Sequence, residues 1–123
     1  MMQVSTSEEN YLKAIFILKK NDVTVREIDV AHCLGYSKPS VSFAVKKLEQ
    51  REYIFVKADH SLELTDAGRK IAETTYAKYC FFVNALITFG VPPKQAEEDA
   101  HRLEHAISRE SFERLMAAHS TAQ

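Results

Sequence analysis

The sequence predicts a mainly α-helical protein with one β-hairpin, in which an N-terminal winged helix-turn-helix is followed by a C-terminal helical layer. Its 123 residues include only three glycines and three prolines, which is few for a turn-rich β fold. Apolar residues recur at helical spacing along most of the chain, and one segment, 53–64, alternates as a hairpin does. We therefore expect two domains, covering residues 1–66 and 67–123.

The first two helices are expected over about 7–20 and over a short segment that ends at Gly35, a residue suited to a left-handed helix end. Both helix starts carry the spacing of a capping box, in which a hydroxyl residue precedes a glutamate by three positions. The predicted boxes are Thr6 with Glu9 and Thr24 with Glu27.

A third helix follows a tight turn, so the second and third helices together form a helix-turn-helix. Ser37 can cap this helix, and Pro39 suits its first turn. Helical periodicity predicts an inner stripe of Val41, Val45 and Leu48. The hairpin at about 53–64, with its turn at 59–61, then completes a winged helix.

A long helix is expected over about 66–89, capped by Thr65 or Asp66. Its middle, YCFFV, is apolar on more than one face, and such a helix needs partners on several sides. We expect a second subunit to cover part of this surface, which makes the C-terminal helices a dimerisation layer. Another helix is predicted over about 94–106, and Ser108 can cap the last one.

The outer face of the third helix has the residue types that suit a DNA major groove. A helix N-terminus and serine hydroxyls can bond phosphates or base edges, apolar side chains can touch thymine methyl groups, and lysines can neutralise phosphates. Two alternatives stay open: Phe43 packs against the hairpin or a neighbouring helix, or the chain is an interaction module that has lost DNA contact. The predicted DNA-binding residues are Ser37, Lys38, Pro39, Ser40, Ser42, Phe43, Lys46 and Lys47.

Composition limits the function classes. The net charge is −1, so any basic patch that attracts nucleic acid has to be local. The chain starts without a secretory signal pattern, and no apolar run approaches the ~20 residues of a membrane span. Cys33 and Cys80 are far apart and are expected to be reduced thiols. We expect a cytoplasmic protein that has no membrane partner.

The segment DAHRLEHAIS carries His101, Glu104 and His105 on one helix face, with Glu97 a turn earlier. An inverted zinc-peptidase site would need a third ligand and a deep cleft, for which the rest of the chain leaves little room, so we expect no enzyme. The second interpretation is a rewired metal site using Glu97, His101, Glu104 and His105, with or without Asn10. The third is structural, with Glu104 and His105 bonded to Lys13, Tyr79 or a backbone group.

Four stretches together resemble the metal-dependent repressors of the diphtheria-toxin-repressor and manganese-transport-regulator type. They read NYLKAIFIL, VREIDVAHCLGYSKPSVSFAVKKLE, LELTDAGRKIA and EEDAHRLEHAIS. The resemblance implies a homodimer that binds a pseudo-palindromic double-stranded operator and represses genes when Mn(II) or Fe(II) binds. It also implies the short form of the family, without a C-terminal SH3-like domain.

The resemblance transfers the family's metal ligands poorly. Only Glu104 and His105 keep the family's residues, and Glu97 stands where the iron type has a histidine. The other positions hold Asn10, Lys13, Tyr79, Val83 and His101. Mn(II) prefers oxygen donors, so we do not expect it as the cofactor; two histidines with carboxylates favour Zn(II), Ni(II) or Co(II). An Fe-responsive repressor with a rewired site is the other metal-dependent alternative. In a metal-independent protein, Lys13 would replace the ion by pairing with Glu104.

Overall fold

The computed structural model describes residues 3–21 and 24–122, and side chains as far as His119. These residues form six helices and one two-stranded antiparallel hairpin, which confirms the predicted fold class. The elements are α1 (Thr6–Asn21), α2 (Glu27–Leu34), α3 (Lys38–Gln50), β1 (Ile54–Val56), β2 (Leu62–Leu64), α4 (Asp66–Thr88), α5 (Pro93–Ala106) and α6 (Arg109–Ala122).

The chain divides into two compact units, Met1–Thr74 and Thr75–Gln123, and the division falls within α4. The first unit contains the helix-turn-helix and the hairpin. The second contains the rest of α4 with α5 and α6. The predicted domain boundary at 66/67 stays a prediction.

The first unit is built around an apolar core to which α1, α2, α3 and both strands contribute. The stripe predicted on α3 is buried, with Val41, Val45 and Leu48 each at most 2% exposed. Leu12 and Ile15 of α1 are fully buried in the same cluster. This burial removes apolar surface from water and fixes α3 with its opposite face outward.

Both predicted capping boxes are wrong in register. At α1 the box is formed by Ser5 and Glu8, because the Ser5 N–H donates to Glu8 Oε1 at 3.0 Å and the Glu8 N–H donates to Ser5 Oγ at 3.1 Å. The Arg51 guanidinium contacts both oxygens of Glu8, at 2.6 and 2.8 Å, and holds this carboxylate in place. Helix α1 therefore starts one residue earlier than Thr6 and Glu9 suggested.

At α2 the N-cap is Arg26, whose N–H donates to Asp29 Oδ2 at 2.8 Å. The physical reason is that Val25 is buried and its carbonyl accepts the Leu62 N–H at 2.7 Å. This bond keeps the chain extended past Thr24, so helical geometry begins later than the Thr24 and Glu27 spacing indicated.

The turn between α2 and α3 has the predicted form. Gly35 adopts φ 71°, a left-handed conformation that glycine adopts at low cost, and its N–H donates to the Ala31 carbonyl at 2.9 Å. Ser37 then caps α3, accepting the Ser40 N–H on its hydroxyl at 3.3 Å. In the hairpin, Ile54 pairs with Leu64 and Val56 with Leu62.

The second unit has its own apolar contacts. Ala96 and Ala100 of α5 are fully buried, and Phe112 of α6 packs edge-on against Phe81 of α4 with ring centroids 5.7 Å apart. The Lys78 ammonium donates to the Ile107 carbonyl at the end of α5, at 3.1 Å. Ser108 caps α6 as predicted, accepting the Ser111 N–H at 3.1 Å. None of the helices that the structure describes combines the length and the apolar character needed to cross a membrane.

Candidate nucleic-acid interface and metal centre

The outer face of α3 presents most of the predicted DNA-binding side chains to solvent. Phe43 is 73% exposed, so the alternative that it packs against the hairpin or a neighbouring helix is wrong for the isolated chain. The ring is therefore accessible to a partner on an otherwise polar helix face. The other exposed members of the set are Ser37, Lys38, Pro39, Ser40, Lys46 and Lys47.

The three serines of this set already have partners inside the protein. Ser37 Oγ donates to Ser40 Oγ at 2.9 Å while it caps the helix. Ser42 is half-buried, and its hydroxyl donates to Glu27 Oε1 at 2.5 Å. Glu27 is the first residue of α2, so this bond joins the two helices of the helix-turn-helix. Sequence reasoning missed it and assigned Glu27 to a cap.

The hairpin turn is tied to the start of α2. The Arg26 guanidinium donates from Nε to the Asp59 carbonyl at 3.3 Å and lies 3.7 Å from the Asp59 carboxylate. Hydrogen bonds from the Ser61 hydroxyl and N–H lower the pKa of Asp59, and the charges of Arg26 and Lys57 lower it further. Helix α2 thus holds contacts with both α3 and the hairpin.

The metal-type donors of α5 converge. One donor atom from each of His101, Glu104 and His105 lies within 4.8 Å of the other two. His101 Nδ1 lies 2.9 Å from Glu104 Oε1, and His105 Nε2 lies 3.7 Å from the same oxygen. The Glu104 side chain is fully buried, whereas that of His101 is 48% exposed. The spacing along α5 predicted that these three side chains share one helix face, and the structure brings them together; their role as metal ligands stays a prediction.

Glu97 is exposed and is not one of the residues of this cluster. It lies close enough to Tyr79 to act on its hydroxyl: burial raises the pKa of Tyr79, and the carboxylates of Glu97 and Glu104 raise it further. A ligand role for Glu97 therefore stays a prediction. Asn10 and Lys13 lie on α1 in the first unit, and the pairing of Lys13 with Glu104 also stays a prediction.

The cluster fits a transition-metal ion better than a hard cation. It offers two imidazole nitrogens and one carboxylate oxygen, which suits Zn(II), Co(II) and Ni(II), whereas Mn(II) prefers an oxygen-rich site. Ligand bonds of about 2.0–2.2 Å place neighbouring donors roughly 3–4 Å apart, so small side-chain rotations suffice to close this site. The burial of Glu104 excludes water from one side.

The second unit also carries an apolar groove of about 620 Å³ between α4 and α6. Phe89, at 86% exposure, and Met116 leave much of their apolar surface uncovered at this groove. Cys80 lines it as a free thiol, and Cys33 on α2 is also free, as predicted for both. The remaining lining residues are Ala77, Phe81, Asn84, Ala85, Thr88 and His119.

Two adjacent segments match models of one protein family. Residues 3–62 match "Iron dependent repressor, N-terminal DNA binding domain", and residues 65–121 match "Iron dependent repressor, metal binding and dimerisation domain". The chain belongs to the iron-dependent repressor family. Members of this family are transcriptional repressors and not enzymes, so the peptidase interpretation of the α5 motif is set aside.

Curated relatives agree with this assignment. The chain is 31% identical over 117 residues to the iron-dependent repressor IdeR of Mycobacterium tuberculosis, covering 94% of this chain and 51% of IdeR. It is 30% identical over 105 residues to the transcriptional regulator MntR of Escherichia coli O157:H7, covering 85% of this chain and 68% of MntR. It therefore spans about half the length of IdeR and about two thirds of MntR.

Solved structures of similar proteins have the same fold. The manganese regulator SloR has a TM-score of 0.76 with 29% identity, over 93% of this chain and 53% of SloR. ScaR with bound Zn2+ has a TM-score of 0.76 with 28% identity, over 92% of this chain and 53% of ScaR. The first of these structures is described as that of a manganese regulator, and the second as holding Zn2+.

Proposed function

We propose that this protein is a cytoplasmic transcriptional repressor that binds a pseudo-palindromic DNA duplex as a homodimer. The observation that carries the proposal is the exposure of Phe43 in the middle of α3, whose opposite face is locked into the core by Val41 and Val45. A recognition helix needs a rigid inner face and outer side chains that gain partners only when DNA arrives.

The outer face of α3 carries two kinds of side chain, which contact phosphates and bases respectively. Lys38, Lys46 and Lys47 are exposed cations that neutralise phosphates and give affinity without sequence preference. Pro39 and Phe43 are exposed apolar groups that fit thymine methyl groups in the major groove.

The homodimer brings two such helices to one duplex. We infer that the second copy covers the groove between α4 and α6, because Phe89 and Met116 leave apolar surface there. The groove lies within the segment that matches the family's dimerisation domain. Two-fold symmetry then sets the half-sites about one helical turn, or a multiple of it, apart.

The effector we propose is a transition-metal ion held by His101, Glu104 and His105, with Zn(II), Co(II) or Ni(II) favoured over Mn(II). Support comes from the two imidazoles within reach of one buried carboxylate. At the other family ligand positions Asn10, Lys13 and Tyr79 supply no anionic oxygen near neutral pH, which weakens the case for Mn(II) further. Bound metal supplies a positive charge that balances Glu104.

DNA binding is tested by enrichment from a pool of randomised duplexes with the full wild-type chain. We expect an enriched pseudo-palindrome whose binding weakens steeply as salt is raised. If no sequence is enriched and binding is equal across the pool, the chain does not act as a sequence-specific repressor. If no duplex is bound at all, the interaction-module alternative takes its place.

Metal binding is tested by elemental analysis and by Co(II) titration followed by visible absorption. We expect about one ion per chain, loss of binding in His105→Ala, and no change in the matched control His32→Ala, an exposed histidine of α2 that belongs to neither the cluster nor the groove. Absence of any bound ion would indicate a metal-independent regulator. Tight stoichiometric Mn(II) binding that switches on DNA affinity would contradict the metal assignment.

A further inference from the structure

The contact between Ser42 and Glu27 changes what each residue can do at the interface. Ser42 lies on α3 one position before Phe43, where a free hydroxyl would be expected to bond a base or a phosphate. Its hydroxyl proton is instead donated to Glu27 Oε1 at 2.5 Å, in a half-buried position. A hydroxyl has one proton to donate, so this bond removes Ser42 as a donor to DNA.

Glu27 is well placed to hold α3. It is the first residue of α2, where the positive end of the helix dipole stabilises a carboxylate. The preceding residue, Arg26, is fixed on two sides, by its N–H bond to Asp29 and by its contacts with Asp59 in the hairpin turn. The carboxylate that receives the Ser42 hydroxyl is therefore attached to a rigid point of the first unit.

We propose that Ser42 and Glu27 form a positioning pair that sets the fine rotation of α3, within the orientation that its buried stripe imposes, and thereby sets where Phe43 meets the bases. The inference rests on the proposed DNA-binding function. It assigns Ser42 to positioning and not to base reading, and it gives Glu27 a role in specificity although its charge opposes that of DNA. The residues proposed to contact bases are then the ones on the outer face of α3 whose side chains donate no hydrogen bond within the protein, chiefly Pro39, Ser40 and Phe43.

The test compares two affinities, each measured by fluorescence anisotropy at one salt concentration with the full-length protein. The probes are the duplex enriched by the wild type and a scrambled duplex of the same composition. The readout is the dissociation constant for the scrambled duplex divided by that for the enriched duplex, so a lower ratio means weaker discrimination. A residue with only a structural role lowers the free energy of unfolding and changes both affinities alike, whereas a positioning residue changes the ratio.

We expect Ser42→Ala and Glu27→Ala each to lower the ratio by roughly fivefold to tenfold, which is the net contribution of one typical hydrogen bond. Because both variants remove the same bond, the double variant should lose no more than either single one. Glu27→Gln keeps an acceptor oxygen for Ser42 and should keep the ratio, while it raises both affinities because a negative charge is gone. The control Glu49→Ala, an exposed carboxylate on α3, should also leave the ratio unchanged.

Two results would contradict the proposed role of the pair. If Ser42→Ala lowers the ratio and Glu27→Ala does not, Ser42 is a reader after all. If the losses of the two single variants add in the double variant, the residues act independently. If the wild type itself does not distinguish the two duplexes, the proposed function has failed and the pair falls with it; a discriminating wild type with additive variants refutes the pair alone.

Discussion

Phe43 shows how far a single residue can be interpreted from sequence. Once Val41, Val45 and Leu48 were assigned to the core, helical geometry required Phe43 to lie on the other side, and it does. The Ser42–Glu27 bond could not be predicted in this way, because its partners are 15 positions apart and belong to different helices. Sequence spacing predicts faces of one helix, whereas contacts between helices depend on how those faces pack.

Two alanine variants distinguish side chains of α3 that contact bases from those that contact phosphates. Phe43→Ala should reduce discrimination between the enriched and the scrambled duplex by roughly 1–3 kcal/mol, the cost of one unfavourable base-pair contact. Lys47→Ala should weaken both duplexes equally and reduce the salt slope by roughly 0.9, which corresponds to one lost phosphate contact. Identical effects of the two variants on both duplexes would show that the roles are wrongly assigned.

Gly68 is required for packing and not for its conformational freedom. An added Cβ would lie well inside van der Waals contact with the Tyr53 carbonyl oxygen, at the start of the hairpin. Gly68→Ala should therefore lower the free energy of unfolding by roughly 1–3 kcal/mol, as overpacking does, although alanine is the better helix former. Chemical denaturation measures this change.

The neighbouring exposed residue supplies the control for Gly68. Ala67→Gly should also destabilise, by roughly 1 kcal/mol, through loss of helix propensity alone. If helix propensity alone acted, Gly68→Ala would raise the free energy of unfolding and Ala67→Gly would lower it. With the close approach to Tyr53, both substitutions lower it. A stabilised Gly68→Ala would refute the close approach to Tyr53.

At the scale of elements, the sequence predicted the number, type and order of helices and strands, and it erred at two helix starts. Hydrophobic periodicity predicts where a helix or strand lies, and Gly35 indicates where α2 ends. The exact start depends on distant contacts: Arg51 selects Glu8 as the capping carboxylate of α1, and the Leu62 N–H holds Val25 extended before α2. Neither contact leaves a signal in the local sequence.

The hairpin is joined to α1 by a charged hydrogen bond that gives stability a pH dependence. The Lys19 ammonium donates to Glu63 and lowers the pKa of that carboxyl, with Lys57 adding to the effect and burial opposing it. A lowered pKa in the folded state means that the stabilisation is present above the usual titration range of glutamate, about pH 4, and is lost as pH falls below it.

Glu63→Gln should therefore flatten the acid limb of the stability profile and cost up to roughly 1 kcal/mol near neutral pH, since both side chains are about one-fifth exposed. Urea denaturation across a pH series measures the profile. Lys19→Gln should reproduce the flattening, and Lys20→Gln, which removes the same charge one position away, should not. An unchanged profile in both Glu63→Gln and Lys19→Gln would exclude this contact as a source of acid sensitivity.

At the scale of the whole molecule, the two units account for separate parts of the proposed function. The first unit carries α3, the helix proposed to contact DNA, and the second carries the donor cluster and the apolar groove. Sequence alone predicted the excess apolar surface of α4, because YCFFV cannot be hidden on one helix face. It could not locate the groove, which depends on where α6 packs.

The groove gives a prediction for the oligomeric state. Phe89→Ser should weaken the dimer and leave the fold of each unit intact, because Phe89 is already 86% exposed in the single chain. Sedimentation equilibrium at micromolar concentration measures the association. The matched control is Phe55→Ser, an aromatic residue of the hairpin that is 47% exposed and does not line the groove. A wild type that stays monomeric at all concentrations would contradict the dimer.

The central claim is that this chain recognises DNA sequence through α3. The most direct test is the ratio of dissociation constants for the enriched duplex and its scrambled counterpart, measured by anisotropy with the wild-type protein at physiological salt. We expect the enriched duplex to bind at least about 10³-fold more tightly, as specific regulators do. A ratio near one, with the same salt dependence for both duplexes, would contradict the claim.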